Sequence, residues 1–243
     1  MVEEQLKQYK FFFREFSVIG KRPSNEDRTF IIDHKPWQLM LLADGMGGYS
    51  NGEVAAEEAV TFISSKFVQL SNGAIDELKS IFSSANQIIN ETVSGAGTTI
   101  GGVFLRPGSV DIFWLGDVRV YIKSKQDQIQ FVSKDHSLMQ LMRDSNSPIK
   151  ATEIDRLKNT VTRSLGVNNG GWEPEIVSLG FSEGIKGLIC SDGVHNLISD
   201  QDLFSILGSE IDQEIFDQIF ERIRNKASDN ASAIFFSFKG NAV

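Results

Sequence analysis

The alternation of apolar and polar residues predicts an N-terminal half in which strands precede a pair of helices. Mixed apolar and polar residues over 11–19 indicate a first strand, and shorter apolar runs indicate strands at 29–32 and 38–43. Apolar residues at helical spacing then predict two consecutive helices, at 53–70 and 74–93. Two long helices in succession favour an antiparallel pair packed on a sheet.

Short, closely spaced apolar runs predict antiparallel hairpins in the middle of the chain. These runs cover 98–105, 110–115, 118–123 and 129–133, and polar turns separate them. The segment 135–171 is polar and irregular, with short helical pieces. Such a long connection within a compact domain is often functional.

The last part of the chain returns to longer elements. Its pattern predicts strands at 175–179 and 187–190, helices at 200–207 and 211–226, and a final strand at 232–238. Because strands and helices occur in blocks rather than in regular βαβ alternation, the chain is predicted to be an α+β protein. We expect largely antiparallel sheets stacked between helical layers.

An aspartate stands at the end of the most apolar of the early strands. The run 39–43 ends in Asp44, and three glycines follow within four residues. A carboxylate at the end of a buried strand is costly unless its charge is compensated, and a metal ion would compensate it. The glycines would let backbone carbonyls approach that ion. The alternative is that Asp44 is only the N-cap of the following helix.

Four aspartates stand out along the chain, and three of them flank apolar strand segments. If stacked sheets bring these side chains together, like charges at such distances require cations between them. Ligation by oxygen alone favours Mg²⁺ or Mn²⁺ over zinc, and two such ions sharing a water would make a hydrolytic centre. The four residues are Asp27, Asp44, Asp192 and Asp229.

The polar loop before the second strand holds further candidates. Glu26 and Asp27 lie where the loop meets the strand, and Arg22 precedes Asp27 by five residues. A solvated, charged turn explains this pattern. A metal and phosphate site, with the planar guanidinium of Arg22 on the phosphate, explains it equally well.

The composition narrows the class of protein. The chain has 243 residues, 41% of them hydrophobic, which is enough for one large domain with a substantial core. A net charge of -8 argues against nucleic acid or anionic membrane as a partner.

Cys190, the only cysteine, lies in an apolar run, which excludes a disulfide framework. The sequence contains neither a signal-peptide pattern nor an apolar run near ~20 residues, so we expect a cytoplasmic protein.

Eight short segments occur in a characteristic order. They are Arg22-Pro23-Ser24-Asn25-Glu26-Asp27, Asp44-Gly45-Met46-Gly47-Gly48, Gly97-Thr98-Thr99, Gly116-Asp117-Val118-Arg119, Asp135-His136-Ser137, Thr162-Arg163-Ser164-Leu165-Gly166, Ser191-Asp192-Gly193 and Asp229-Asn230. Together they resemble the metal-dependent protein serine/threonine phosphatases, the 2C-like or PPM family, in its bacterial form. One segment would be weak support, whereas eight in the family's order are very specific.

The resemblance covers nearly the whole chain, from about Phe16 to Phe238. It implies a four-layer α/β/β/α sandwich, in which two antiparallel sheets are flanked by helix pairs and the metals lie at one end. It also implies that residues 1–243 form a single phosphatase domain. A flap at about 138–160 would lie beside the site and influence substrate choice.

The resemblance implies two Mg²⁺ or Mn²⁺ ions and assigns their ligands by position in the motifs. Asp44 would bridge the ions, while Asp192 and Asp229 would complete the first. The Gly45 carbonyl and Asp27 would serve the second ion.

Three more residues receive roles from the same resemblance. Arg22 matches the phosphate-binding arginine, and Glu26 is expected to accept a hydrogen bond from a metal-bound water. Asp117 matches a residue that, with Asp192, can hold a third, weaker ion in bacterial members.

Two positions depart from the family's pattern. Val118 replaces the usual serine, which affects the local geometry around the third ion. Met46 stands where some members carry a histidine that is proposed as general acid. Because Met46 cannot donate a proton, a metal-bound water would have to protonate the leaving group.

The activity implied is hydrolysis of phosphoserine and phosphothreonine on proteins by a metal-bridged hydroxide. A second hypothesis is a catalytically weak module of the same fold that binds phosphoproteins and regulates a partner. A serine/threonine kinase and its substrates are the expected partners, nucleic acid and membranes are not, and we expect a monomer.

Some candidate residues receive structural predictions instead. We expect His34 to be exposed and His195 to be structural, while His136 makes a structural hydrogen bond or acts near the substrate. The acidic residues assigned to the surface or to capping are Asp33, Asp111 and Asp135.

Overall fold

A computed structural model provides the coordinates of the chain. The structure describes residues 10–47, 51–70, 75, 77–167, 171–182 and 184–239. The strands are β1 (Lys10–Val18), β2 (Asp27–His34), β3 (Trp37–Met46), β4 (Gly97–Arg106), β5 (Ser109–Leu115), β6 (Arg119–Ser124), β7 (Ile129–Val132), β8 (Glu175–Gly180), β9 (Gly184–Cys190) and β10 (Ala231–Lys239). The helices are α1 (Asn51–Leu70), α2 (Leu78–Thr92), α3 (Leu138–Asp144), α4 (Ile154–Lys158), α5 (Asp192–His195), α6 (Asp200–Leu207) and α7 (Asp212–Ile223), with a 3₁₀ turn at Ala151–Glu153.

The strands form two five-stranded sheets in which every pairing is antiparallel. The order is β1-β10-β9-β6-β7 in the first sheet, called sheet A here, and β2-β3-β4-β5-β8 in the second, called sheet B. Short hairpins join β2 to β3 and β4 to β5, whereas α1 and α2 lie between β3 and β4. In sheet A, β10 lies between β1 and β9, so the first and last strands pair with each other.

Side chains of β3 show how the layers are stacked. Leu39, Leu41 and Ala43 belong to an apolar cluster that also contains residues of α1 and α2. Met40 and Leu42, which point to the opposite face, belong to a cluster shared with sheet A. A third cluster packs α6 and α7 on the outer face of sheet A. The order of layers is therefore α/β/β/α, and the predicted α+β sandwich is confirmed.

The cluster beneath α1 and α2 is built around aromatic rings. Phe67 of α1 lies with its ring centroid 5.5 Å from that of Phe104 and 5.5 Å from that of Phe113. Phe82 of α2 meets Phe113 edge to face. Helix α1 carries this apolar face because small and large apolar residues recur at helical spacing along it.

The predicted elements agree with the structure apart from their ends and one omission. Strand β2 begins at Asp27, earlier than predicted, because it pairs with β3 up to Asp44. Helix α2 begins at Leu78, and its predicted start at 74 lies outside the described residues. The short helix α5 was not predicted, since its residues carry no helical periodicity. No helix among the described residues combines the length and apolarity that crossing a bilayer requires.

The aromatic cluster predicts a strong contrast between two neighbouring residues of α1. Phe67 is buried at 1% exposure, whereas the Val68 side chain is 53% exposed. Phe67→Ala should lower the free energy of unfolding by about 3–5 kcal/mol because it leaves a cavity among packed rings. Val68→Ala should change it by less than about 0.5 kcal/mol. Urea unfolding followed by circular dichroism tests this, and equal losses would contradict the packing described.

Candidate active site

Sheet B brings two of the candidate carboxylates together through its strand register. Asp27 at the start of β2 pairs directly with Asp44 of β3. The hydroxyl of Thr98 on β4 donates to the backbone oxygen of Asp44 at 2.9 Å. Asp44 therefore lies inside a strand, seven residues before α1 begins at Asn51. The alternative interpretation of Asp44 as a helix N-cap is wrong.

Sheet A delivers the other carboxylates to the same end of the sandwich. Asp192 follows the end of β9 and Asp229 precedes the start of β10, and these strands pair antiparallel. Strand β6 begins opposite the same end of β9, which places Asp117 there as well. The polar strand ends of both sheets therefore meet at one edge.

The side chains at this edge line a cavity of about 360 Å³. Met46 and Gly47 contribute to its wall from the end of β3, and Asn159 and Val161 contribute from the end of the flap. The structure thus brings together seven of the residues singled out from the sequence. These are Arg22, Glu26, Asp44, Gly45, Asp117, Asp192 and Asp229.

Asp27 is the predicted site residue that lies behind this cavity rather than on its wall. Its side chain is buried at 2% exposure, and Ser191 donates a hydrogen bond to its Oδ2 at 2.8 Å. Its other carboxylate oxygen, Oδ1, has no hydrogen-bond partner among the described residues. A buried, unpaired carboxylate oxygen is costly unless a positive group approaches it.

Arg22 lies directly against one of the carboxylates. Its guanidinium donates to Asp229 Oδ2 at 2.6 Å, and the backbone N–H of Asn230 donates to Asp229 Oδ1 at 2.9 Å. The Arg22 side chain is 57% exposed, so its outer nitrogens remain accessible from the cavity. The ion pair with Asp229 raises the pKa of Arg22.

Asn230 holds the loop that carries Glu26. Its Oδ1 accepts a hydrogen bond from the Glu26 N–H, and its amide nitrogen donates to the backbone oxygens of Ile19 and Ser24. The carbonyl of Glu26 in turn accepts from the Gly45 N–H at 3.2 Å. A Cβ on Gly45 would lie 2.1 Å from the Gly52 oxygen, so only glycine fits where α1 crosses β3.

Burial of several carboxylates side by side dominates the electrostatics. Burial, together with repulsion from Asp192 and Asp229, raises the pKa of Asp27 to about 6. Burial and repulsion from Asp27 and Asp192 raise the pKa of Asp44 well above its usual range. Burial and the neighbouring Asp229 raise that of Asp192 to about 6. The carboxylates therefore hold protons up to near-neutral pH unless another positive charge replaces them.

The pKa of Asp117 is raised for the same reasons. Burial, followed by repulsion from Asp192 and Asp135, raises the pKa of Asp117 to about 7. Its backbone oxygen accepts a hydrogen bond from His195 Nε2 at 3.0 Å. Burial lowers the pKa of His195 to about 4, so this ring is neutral and structural, as predicted.

The residues present fit hard divalent cations. The candidate ligands are all oxygen atoms, which Mg²⁺ and Mn²⁺ prefer. The unpaired Asp27 Oδ1 and the raised carboxyl pKa values mark a place where positive charge is required. Within the described ranges, no three His, Cys, Asp or Glu residues form a ready-made chelate, and Asp229 is engaged by Arg22. Metal ligation by the individual residues therefore stays a prediction.

Two acidic residues assigned to the surface or to capping instead form ion pairs, one of them buried and the other partly buried, so that assignment is wrong. Asp111 is 2% exposed and pairs with Arg106 and Ser178. Asp135 accepts two hydrogen bonds from Arg119, each at 2.7 Å. Both support the sheets rather than the cavity.

The remaining single residues have clear positions. His34 is exposed and stacks on Trp37, and Cys190 is buried and free, as predicted. Val118 packs in the core between the sheets, so the departure from serine places no side chain in the cavity. Gly48, part of the glycine motif, lies outside the described residues.

Sequence reasoning gave no role to several residues that build the site. Thr98, Ser191 and Asn230 hold the backbone or carboxylates of the candidate ligands. All three lie within the motif segments, and this position was the one feature of the sequence that could have indicated a role in the site. Asn159 and Val161 line the cavity from an irregular segment whose pattern carries no such signal.

The raised carboxyl pKa values predict how metal-free stability depends on pH. An acid with a higher pKa in the folded chain contributes stability below its unfolded pKa near 4, and this contribution is lost as pH rises through 6 to 7. In chelator, Asp44→Asn should therefore lose less stability than the wild type between pH 5 and 7.5. The difference has this sign because the pKa of Asp44 is raised well above its usual range in the folded chain. Urea titrations at both pH values measure it, and Asp217→Asn, an exposed aspartate on α7, should behave as the wild type.

Comparison with known proteins identifies relatives of this fold. The family model for protein phosphatase 2C matches residues 17–231. A putative protein phosphatase 2C-type from Streptococcus pyogenes is 31% identical over 209 residues, covering 79% of this chain and 81% of the relative. These matches confirm the family and the enzyme class predicted from the sequence.

Solved structures show the same architecture. A serine/threonine phosphatase from S. agalactiae superimposes with a TM-score of 0.79 at 27% identity, covering 93% of this chain and 99% of that one. The catalytic domain of the serine/threonine phosphatase PstP, solved with two manganese ions, superimposes with a TM-score of 0.78 at 23% identity, covering 95% and 99%. On its sequence and its fold, the chain belongs to the protein phosphatase 2C family.

Proposed function

We propose that this chain hydrolyses phosphoserine and phosphothreonine on proteins and that it depends on two Mg²⁺ or Mn²⁺ ions. The observation that carries the proposal is the single cavity lined by Asp44, Asp192, Asp229 and Arg22, from both sheets. Asp44 would be shared by the two ions. Asp192 and Asp229 would hold one, and Asp27 with the Gly45 carbonyl would hold the other.

The chemistry divides between these ions and the side chains around them. When bound, the ions supply an activated water and neutralise charge that develops on the phosphoryl group. Arg22 binds the phosphate oxygens through its planar guanidinium, for which it must leave Asp229. Glu26, held over the first turn of α1, accepts a hydrogen bond from a water in the cavity. Met46 excludes bulk water from the wall but transfers no proton.

Two further assignments extend this proposal. Asp117 and Asp192 line the same cavity, which supports a third, weaker ion between them. The flap 138–160 meets the cavity through Asn159, which supports its role in substrate choice. We also propose that residues 1–243 act as one domain, as a cytoplasmic monomer whose substrates include those of a serine/threonine kinase.

An assay with two substrates tests the activity directly. The protein is freed of metal with a chelator and then given Mn²⁺ or Mg²⁺ together with an aryl phosphate or a phosphothreonine peptide. Release of phosphate that requires the added ion and stops on renewed chelation is the expected result. Peptide binding without turnover under any ion would instead identify a phosphoprotein-binding module.

A substitution of Asp229 tests the proposed metal ligation most specifically. Asp229→Asn keeps the size and the hydrogen bond with Asn230 but removes the charge, so it should weaken Mn²⁺ binding and lower kcat by about 100-fold or more. Its melting temperature in chelator should stay within a few degrees of the wild type. Calorimetric Mn²⁺ titration and phosphate release measure the two effects. Asp217→Asn serves as the matched control, and wild-type turnover in Asp229→Asn would refute the assignment.

A further inference from the structure

His136 makes a two-point contact with Gly116, the residue that precedes Asp117. Its backbone N–H donates to the Gly116 oxygen at 2.8 Å, and the Gly116 N–H donates to its ring Nδ1 at 3.0 Å. Because Nδ1 accepts, Nε2 carries the ring hydrogen, and it donates to Glu175 Oε1 at 3.1 Å. Trp114 stacks on the ring and fixes its plane.

Gly116 cannot easily adjust if this contact is lost. It has φ of +101°, a conformation that favours glycine, and a Cβ there would lie 2.2 Å from the Thr99 side chain. Both Gly116 and His136 are buried, so an unpaired Gly116 N–H would have no solvent to replace the ring. The position of the Gly116 peptide is therefore set by His136.

The same histidine holds both ends of the flap. Its carbonyl accepts from the Thr162 N–H at 2.8 Å, and the next residues continue the contact, with the Leu138 N–H donating to the Thr160 oxygen at 2.8 Å. Ser137 and Val161 form an isolated antiparallel bridge. The two ends of the flap are thus joined by a short run of backbone hydrogen bonds that begins at His136. Val161, which takes part in this pairing, also lines the cavity.

Asp117 is held from its other side by the helix that carries another candidate ligand. His195 of α5 donates to the Asp117 oxygen at 3.0 Å, and Asp192 is the first residue of that helix. Two neutral rings consequently hold this stretch of backbone, with His136 on the Gly116 N–H and His195 on the Asp117 oxygen. One ring comes from the base of the flap and the other from the Asp192 helix.

We propose that His136 is a positioning residue that ties the flap to Asp117, so that the arrangement of the flap and the direction of the Asp117 carboxylate are set together. The proposal rests on the proposed function, in which Asp117 faces the substrate cavity. It implies that a protein substrate contacting the flap influences the Asp117 side of the site. A small aryl phosphate, which does not reach the flap, would lack this influence.

Two substitutions of His136 separate its two ring contacts. His136→Asn places an acceptor oxygen near the position of Nδ1 and keeps the bond with the Gly116 N–H, but it cannot reach Glu175. His136→Gln reaches Glu175 but places carbon where Nδ1 was, leaving the Gly116 N–H unpaired. Each variant is thereby the control for the other.

Hydrogen exchange with mass spectrometry tests whether His136 links the flap to residues 116–118, and it does not require the protein to turn over a substrate. In His136→Gln, amides in residues 116–118 and in the flap should exchange at least about tenfold faster. The reason is that the substitution removes the hydrogen bond between the Gly116 N–H and the His136 ring, which links the two segments. In His136→Asn, residues 116–118 should exchange within about twofold of the wild type. Faster exchange confined to the flap, with 116–118 unchanged in His136→Gln, would overturn the proposal.

A double-mutant cycle tests the functional consequence. For a phosphothreonine peptide, kcat/KM of His136→Gln should fall by about 10- to 100-fold, while His136→Asn stays within about threefold of the wild type. In an Asp117→Asn background, His136→Gln should cause less than about a twofold further loss, since the group it positions is absent. A general loss of structure would instead add in full to Asp117→Asn and would contradict a positioning role.

The two measurements also separate this inference from the proposed function. If the wild type releases no phosphate with any ion, the proposed function fails, and the exchange experiment alone decides whether His136 ties the flap to residues 116–118. If the wild type is active but the two variants lose exchange protection and activity equally, the positioning role fails and the proposed function stands.

Discussion

The burial of several carboxylates side by side is the constraint on which the rest of the structure depends. Asp27, Asp44, Asp117 and Asp192 each have a raised pKa, because each is buried and lies close to at least one other carboxylate. Such a cluster costs free energy in an otherwise well-packed fold, because water is replaced by protein around charges of one sign. Arg22 supplies only one compensating charge, and it approaches from the exposed side. The cluster therefore marks a place where further positive charge is required.

The two-sheet architecture explains how so costly a cluster can be held. The register between β2 and β3 fixes the first pair of carboxylates, and the pairing of β9 with β10 fixes the second. Between the sheets lies a continuous apolar core that includes Met40, Val118 and Ile189. Because the charged residues are at strand ends and the apolar ones in the strand interiors, stability and function occupy different parts of the same elements. The repulsion is confined to one edge.

Much of this arrangement was predictable from local sequence patterns. Apolar runs ending in an aspartate located Asp44 and Asp192, and the blocks of strands and helices gave the α+β class. Asp111 was assigned to the surface, but its ion pair could also have been predicted. Its partner Arg106 is only five residues away, across the hairpin between β4 and β5. Hairpin register, rather than composition, would have revealed that ion pair.

Other features depend on contacts between distant parts of the chain and had no local signal. Arg119 joins Asp135 to Asp200, which is 81 residues further on, and His195 reaches Asp117 across 78 residues. The short helix α5 is fixed by its place after β9, not by periodicity. The placement of Asp27 behind the cavity likewise follows from its contact with Ser191, which comes directly after β9 of the other sheet. Such contacts arise only once the two sheets are stacked.

The central claim is that this edge of the sandwich binds a pair of divalent cations between its carboxylates. Anomalous diffraction from crystals grown with Mn²⁺ tests it most directly. The account predicts two peaks in the cavity, flanking Asp44, with Asp192 and Asp229 on one and Asp27 with the Gly45 oxygen on the other, and Arg22 separated from Asp229. An absence of anomalous signal in the cavity at saturating Mn²⁺, with the Arg22–Asp229 ion pair intact, would contradict it.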